Sequence, residues 1–158
     1  MTIDIITVGS LKEDYLQKGI DEYQKRISAY ARVQVTELKE ARVANEDDAT
    51  AVARALDSEA EKILARLPSD AYRIALCVEG KQYDSVALAQ LIDEGCAKSG
   101  KLALVIGSSH GLSEQVKRAC DVRLSVSKLT FPHQLMRLML TEILYRSLTI
   151  TAGKRYHK

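Results

Sequence analysis

The chain has 158 residues, of which 46% are hydrophobic and 28% charged, and a formal net charge of +2 at pH 7. These values are typical of one globular domain spanning residues 1–158. The small net charge does not by itself indicate a nucleic-acid-binding protein. Because no apolar run reaches the roughly 18–20 residues that span a bilayer, and the N-terminus lacks signal-peptide features, we expect a cytoplasmic protein.

The first half of the chain alternates between strand and helix patterns. Residues 39–49 are charged and lack periodicity, which predicts an exposed loop. Apolar residues three and four apart predict two amphipathic helices, whose inward faces would carry Tyr15 and Ile20 in the first and Leu56 and Ile63 in the second. The predicted elements are a strand at 3–8, a helix at 11–27, a strand at 33–38 and a helix at 52–67.

The second half continues the alternation. Residues 79–81 are predicted to form a turn that closes a strand, and Ser113 is a suitable N-cap for a short helix. The predicted elements are a strand at 72–78, a helix at 85–98, a strand at 101–106, a helix at 113–119, a strand at 122–125 and a helix at 132–149. Such alternation favours an α/β fold with a mainly parallel sheet and helices on both faces.

Ligands of open parallel sheets bind beyond the carboxyl ends of the strands. Three loops of this chain qualify: 79–81, 107–111 and 126–131. The 126–131 loop combines apolar side chains with free main-chain donors and acceptors, which suits an adenine ring, although Leu129 and Phe131 alternatively plug the core.

The 107–111 loop also fits the G-x-S-x-G pattern of a hydrolase nucleophile elbow, with Ser109 at its centre. Asp121 followed by His133 or His157 would complete the order Ser, Asp, His. Against this interpretation, the chain is short for such a hydrolase and the pattern is permissive. A glycine loop that admits a ligand close to the main chain is the alternative.

Three cysteines, Cys77, Cys96 and Cys120, are far apart and form no C-x-x-C pair. We therefore expect thiols, not a disulfide framework or a metal site.

The last helix is apolar nearly all round, which predicts burial on several sides and implies a second subunit. On it, His133 and Arg137 share one face, while Glu142 and Arg146 share another. The basic tail, residues 154–158, suits a phosphate-rich partner, and Tyr156 within it suits stacking on a base. The alternative is a solvated chain end.

Together these residues resemble the ribosomal RNA large subunit methyltransferase H family of the SPOUT class. The likeness spans the chain and includes Thr7-Val8-Gly9, Tyr23-Gln-Lys-Arg26, Val78-Glu-Gly-Lys81, Val105-Ile-Gly107, Thr130-Phe-Pro-His-Gln134, Arg137, Glu142, Tyr145-Arg146 and Tyr156-His-Lys158.

The resemblance implies a sheet whose C-terminal part forms a trefoil knot, a homodimer, and S-adenosylmethionine as cofactor. It implies methylation of N3 of a pseudouridine in 23S rRNA on assembled ribosomes, without a metal. The implied cofactor residues are Leu76, Gly107, Val126, Ser127, Lys128, Leu129, Thr130 and Phe131. The family often has a second glycine where this chain has Ser108.

The implied reaction needs a group that accepts the N3 proton, and a neutral histidine suits that role. His133 and His157 are the candidates. Arg137 or Arg146 would hold a phosphate or stabilise charge on the ring, and Tyr156 would stack on or orient the base. A ribosome-binding assembly factor that has this fold without the chemistry is the alternative.

Overall fold

The computed structural model describes residues 1–157; Lys158, the last residue of the basic tail, lies outside this range. Five strands and five helices alternate along the chain. They are β1 (Thr2–Val8), α1 (Asp14–Ile27), β2 (Arg32–Leu38), α2 (Ala49–Leu64), β3 (Tyr72–Lys81), α3 (Ser85–Cys96), β4 (Lys101–Ile106), α4 (Glu114–Ala119), β5 (Val122–Leu124) and α5 (His133–Thr151).

The strands form one sheet in the order β2-β1-β4-β3-β5, and every strand pair is parallel. Alternate strand residues face opposite sides, so each face has its own apolar core. On one face α1, α3 and α5 cover a core that includes Ile5, Leu104 and Leu140. On the other, α2 and α4 cover Ile6, Val105 and Val116. The predicted parallel α/β fold with helices on both faces is therefore confirmed.

Helix α5 lies against both α1 and α3. From His133 to Ile150 none of its residues is fully exposed, although Leu135, Met139 and Ile143 are only half-buried. The prediction that this helix is enclosed on several sides is confirmed within one chain.

Two predictions for the first half of the chain were wrong. Tyr15 lies on α1 but is 69% exposed. The inward face of α2 is shifted along the helix: Ala55 and Glu59 are buried there, while Leu56 is half-buried.

Strand β3 is longer than predicted, because residues 79–81 belong to the strand and do not form a closing turn. The β3–β5 register shifts between Leu76 and Lys81, both of which align with Leu124. The amide of Ser125 donates to the carbonyl of Lys81 at 3.0 Å. The end of β3 therefore bulges outwards and returns across the end of β5.

Gly80 permits this crossing. A Cβ atom at Gly80 would lie 2.6 Å from the carbonyl carbon of Leu124 and 2.7 Å from the carbonyl oxygen of Arg123. Both are main-chain atoms held in the sheet, so neither can move aside at small cost.

Gly80→Ala should lower the free energy of unfolding by about 2 kcal/mol, because the added methyl group forces two backbones apart. Urea denaturation of wild type and variant measures this difference. Gly19→Ala is the matched control: there a Cβ would approach the mobile end of the Leu138 side chain at 2.9 Å. The control should lose less than about 1 kcal/mol. Equal stability of Gly80→Ala and wild type would contradict the crossing.

Candidate active site

A cavity of about 710 Å³ opens at the carboxyl ends of β3, β4 and β5. Its inner wall is apolar and comes from Leu76, Ile106, Leu124 and Met136. The other lining residues lie mainly in the second half of β3, in the 107–111 and 126–131 loops, at Lys117 of α4 and at the start of α5. Its volume falls within the range of about 300–1,000 Å³ that is usual for small-molecule sites.

The 107–111 loop forms one wall. The amide of Gly111 donates to the carbonyl of Ser108 at 2.9 Å, which closes a tight turn. Gly111 has φ of +83°, and a Cβ at Gly107 would lie 2.2 Å from the carbonyl oxygen of Gly111. Glycine at these two positions thus lets the backbone fold onto itself and line the cavity directly.

The 126–131 loop forms another wall. Its residues at the cavity are Val126, Ser127, Leu129, Thr130 and Phe131. Within the described part of the chain, one main-chain amide of this loop has a hydrogen-bond acceptor in the protein: the amide of Leu129 donates to the Ser127 hydroxyl at 3.0 Å. The other amides are available to a ligand, as an adenine edge requires.

Helix α5 begins at the cavity, where His133 is part of the lining. His133 and Glu40 both lie close to Gly9, with His133 Nε2 at 3.0 Å and Glu40 Oε2 at 3.8 Å from the position of a Cβ there. Arg137, one turn later, is 7% exposed and pairs with Glu37 of β2 at 2.8 Å. Arg137 therefore packs behind the cavity and is not among its lining residues.

The C-terminal tail packs on the far part of α5. The Tyr156 hydroxyl donates to Glu142 at 3.1 Å, and Arg146 pairs with the same carboxylate oxygen. The Tyr156 ring lies 4.7 Å from that of Tyr145, and His157 Nδ1 lies 3.4 Å from Arg146 Nη1. Glu142 and Arg146, which helical spacing places on one face of α5, form an ion pair.

His133 and Arg146 are thirteen residues apart on the same helix, which corresponds to about 20 Å. The tail of one chain, which packs against Arg146, therefore lies far from His133 of the same chain. The sequence-predicted catalytic residues fall into two groups, His133 with Arg137 and Tyr156 with His157.

A family model described as "Predicted SPOUT methyltransferase" matches residues 1–157. Ribosomal RNA large subunit methyltransferase H from Shouchella clausii is 45% identical over the full length of both chains. The proteins of the same name from Bacillus pumilus and Listeria monocytogenes are 45% and 44% identical, also over both full lengths.

The chain belongs to the ribosomal RNA large subunit methyltransferase H family of SPOUT methyltransferases. Solved structures agree with this at the level of the fold. A probable methyltransferase from Bordetella pertussis aligns with a TM-score of 0.55 at 14% identity, covering 92% of this chain and 93% of that one. The tRNA (m1G37) methyltransferase from Aquifex aeolicus aligns with a TM-score of 0.53 at 13% identity, covering 92% of this chain and 70% of its own.

Most of the cofactor residues implied by the SPOUT resemblance meet in one cavity. Leu76, Gly107 and five residues of the 126–131 loop line it, whereas the exposed Lys128 does not. The sequence interpretation missed further lining residues, among them Met136. Since Met136 follows His133 by three residues, helical spacing alone would have placed both on one side of α5.

The hydrolase triad is not assembled. Asp121 accepts a hydrogen bond from the backbone amide of Arg73 at 2.7 Å. Arg73 lies at the start of β3, whereas Ser109 follows the end of β4, so Asp121 and Ser109 lie at opposite ends of the parallel strands. Ser109 donates to Glu40 at 3.2 Å. No non-glycine residue in the described range has a positive φ, so Ser109 lacks the strained backbone of a nucleophile elbow.

The three thiols are poor nucleophiles. Burial raises the pKa of Cys77, which lines the cavity, and raises the pKa values of Cys96 and Cys120 to about 11. Across residues 1–157, no three His, Cys, Asp or Glu side chains converge to hold a metal ion. In the same range, no helix is both long and apolar enough to cross a membrane.

The contact between Tyr156 and α5, which attaches the tail, depends on pH. The Tyr23 side chain, partial burial and Glu142 together raise the pKa of the Tyr156 phenol to about 12. Because this pKa is raised in the folded state, the contribution of Tyr156 to the attachment is fully present below about pH 10, the ordinary pKa of tyrosine. That contribution is lost as the pH rises through about 12.

The absorbance of tyrosinate, titrated in wild type and Tyr156→Phe, should therefore differ by one group that ionises near pH 12. Glu142→Gln should move that group towards lower pH, because it removes a negative charge beside the phenol. Ionisation of Tyr156 at about pH 10 in wild type would show that the tail does not hold this position.

Proposed function

We propose that this protein is an S-adenosylmethionine-dependent methyltransferase that modifies N3 of a pseudouridine in 23S rRNA of assembled ribosomes. The observation that carries the proposal is the cavity, which the 107–111 and 126–131 loops line together with apolar strand residues. Sequence identity of 44–45% over the full length of ribosomal RNA large subunit methyltransferase H from several bacteria supports the rRNA substrate.

The cavity suits the proposed donor. Apolar side chains such as Leu76 and Leu129 would cover the faces of an adenine ring, and free amides of the 126–131 loop would meet its edge. Gly107 would admit the donor close to the main chain. Once bound, the donor supplies a methyl group made electrophilic by its sulfonium.

The chain's own residues would then orient the acceptor and remove its proton. His133 at the cavity mouth is one candidate base for the N3 proton, and His157 of the tail is the other. Arg146, which is more exposed than Arg137, is the better placed of the two to hold an RNA phosphate. Tyr156 would orient the extruded base by stacking.

A homodimer would reconcile the two groups of candidate residues. Within one chain the tail lies far along α5 from the cavity, so the tail of a second copy would have to approach it. The half-buried apolar side chains Leu135, Met139 and Ile143 offer α5 as the contact surface. Pooling two basic tails on one face would also compensate for a net charge of only +2.

We further infer that residues 1–158 form one knotted SPOUT domain that works in the cytoplasm. The bulge of β3 crosses the end of β5, and the chain then passes into α5, which lies between α1 and α3. This path supports threading of the C-terminal part through the loop that follows Leu76. The metal-free chemistry proposed here needs no additional cofactor.

The decisive experiment incubates the protein with S-adenosylmethionine carrying a labelled methyl group and with ribosomes from a strain that lacks the enzyme. We expect label at N3 of one pseudouridine of 23S rRNA, and no transfer to free protein-stripped rRNA. Ribosome binding without transfer would support the assembly-factor alternative. Labelling of Ser109 by a fluorophosphonate would instead support the hydrolase interpretation.

Deletion of residues 156–158 should reduce methylation at least about a hundredfold, the usual scale for losing a general base together with an orienting group. Calorimetry should show nearly unchanged binding of S-adenosylmethionine, because the residues proposed to hold the donor belong to the cavity lining and none of them to the tail. Truncation of Lys158 alone is the matched control and should retain most activity. Loss of donor binding or of dimerisation in the 156–158 deletion would assign the tail a structural role.

A further inference from the structure

Glu59 is a buried acidic residue outside the cavity. It lies on the inner face of α2 and is only 3% exposed. Within the described residues it forms no ion pair. Burying a carboxyl group without a cationic partner is costly unless hydrogen bonds compensate for the lost water.

The two oxygens of Glu59 hold two different loops. Oε1 accepts the backbone amide of Ala41 at 2.9 Å. Oε2 accepts the hydroxyl of Ser108, also at 2.9 Å. Residues 39–44 and the 107–111 loop are far apart in sequence, and this one side chain fastens both of them to α2.

One fastened segment lines the cavity and the other lies next to it. Ser108 is itself part of the lining, beside Gly107. On the other segment, Glu40 precedes Ala41, accepts the Ser109 hydroxyl at 3.2 Å, and lies close to Gly9, as His133 does. A displacement of Glu59 would therefore shift the glycine wall and the carboxyl group near the candidate base together.

We propose that Glu59 is a positioning residue for the donor pocket, whose bonds to Ala41 and Ser108 hold the 107–111 loop in the shape that receives the donor. This inference rests on the proposed function. Glu59 is not among the residues that line the cavity, so it acts through Ser108 and through the segment at residue 41.

Three variants test the assignment. Glu59→Ala removes both bonds and leaves the Ala41 amide and the Ser108 hydroxyl unpaired. Glu59→Gln can retain both, because its amide oxygen accepts from Ala41 and its NH₂ group donates to the Ser108 oxygen. Ser108→Ala removes only the bond to the glycine loop. Ile63→Val is the matched control, since Ile63 is a fully buried core residue of the same helix whose hydrocarbon side chain forms no hydrogen bond to either loop.

Calorimetry with S-adenosylmethionine should give a dissociation constant about tenfold higher for Glu59→Ala and several-fold higher for Ser108→Ala. Glu59→Gln should bind within about threefold of wild type. The double variant Glu59→Ala, Ser108→Ala should bind no worse than Glu59→Ala, because the two changes break the same bond. Ile63→Val should lower stability and leave the dissociation constant unchanged.

Hydrogen exchange in the donor-free protein gives a second readout. The amides of Ala41 and of the 107–111 loop should exchange faster in Glu59→Ala and at the wild-type rate in Glu59→Gln. If Glu59→Ala does not fold, Ser108→Ala and Glu59→Gln still decide the question. Wild-type affinity and exchange in Ser108→Ala, or failure of Glu59→Gln to restore binding, would overturn the proposal.

A failure of the proposed function would look different. In that case wild type itself would give no binding heat with S-adenosylmethionine. The exchange measurement would then still show whether Glu59 holds the two segments together.

Discussion

The candidate site depends on close contact between stretches of main chain. Gly80 lets the end of β3 cross the end of β5, and Gly107 lets its loop fold back onto Gly111. At both places a single methyl group would collide with backbone atoms. The cavity is therefore shaped largely by peptide groups, whose positions are fixed by the sheet, and this arrangement suits recognition of a ring edge by amides and carbonyls.

Helix α5 connects this cavity to the C-terminal tail. Its first turn supplies His133 and Met136 to the cavity, and its later turns hold Tyr156 through Glu142 and the Tyr145 ring. Because the helix is rigid, the tail and the cavity of one chain stay about 20 Å apart. In the proposed dimer, two chains would pair along α5, and the tail of each chain would approach the cavity of the other.

The polar contacts around the cavity form a continuous support. Glu59 holds the glycine loop from α2, Glu40 accepts from Ser109, and Arg137 ties α5 to Glu37 of β2. Several of these side chains are buried, where an unmatched polar group would be costly. They tie the glycine loop to α2 and to the 39–44 segment, and α5 to β2, which helps the site to keep its shape before a ligand arrives.

Periodicity in the sequence was enough to predict every strand and helix, because apolar spacing reports which side of an element is buried. It also located the 107–111 and 126–131 loops at the strand ends. It was wrong for residues 79–81, since their strand pairing depends on β5, more than forty residues later.

Apolar periodicity also could not predict the polar contacts between elements that are far apart in the sequence. Glu59 has the appearance of an exposed helix residue, and only the fold shows that Ser108 and Ala41 meet it. Likewise, Arg137 pairs with Glu37, not with its helical neighbour His133. The family-specific residues came from resemblance, because spacing alone does not relate the tail to an active site.

A crystal structure of the protein with S-adenosylmethionine bound tests the central claim most directly. We predict that the adenine ring lies between the 107–111 and 126–131 loops, with main-chain hydrogen bonds from the latter and with Gly107 in van der Waals contact. Donor bound at another surface, or bound in the cavity without contact to either loop, would contradict this account of the site.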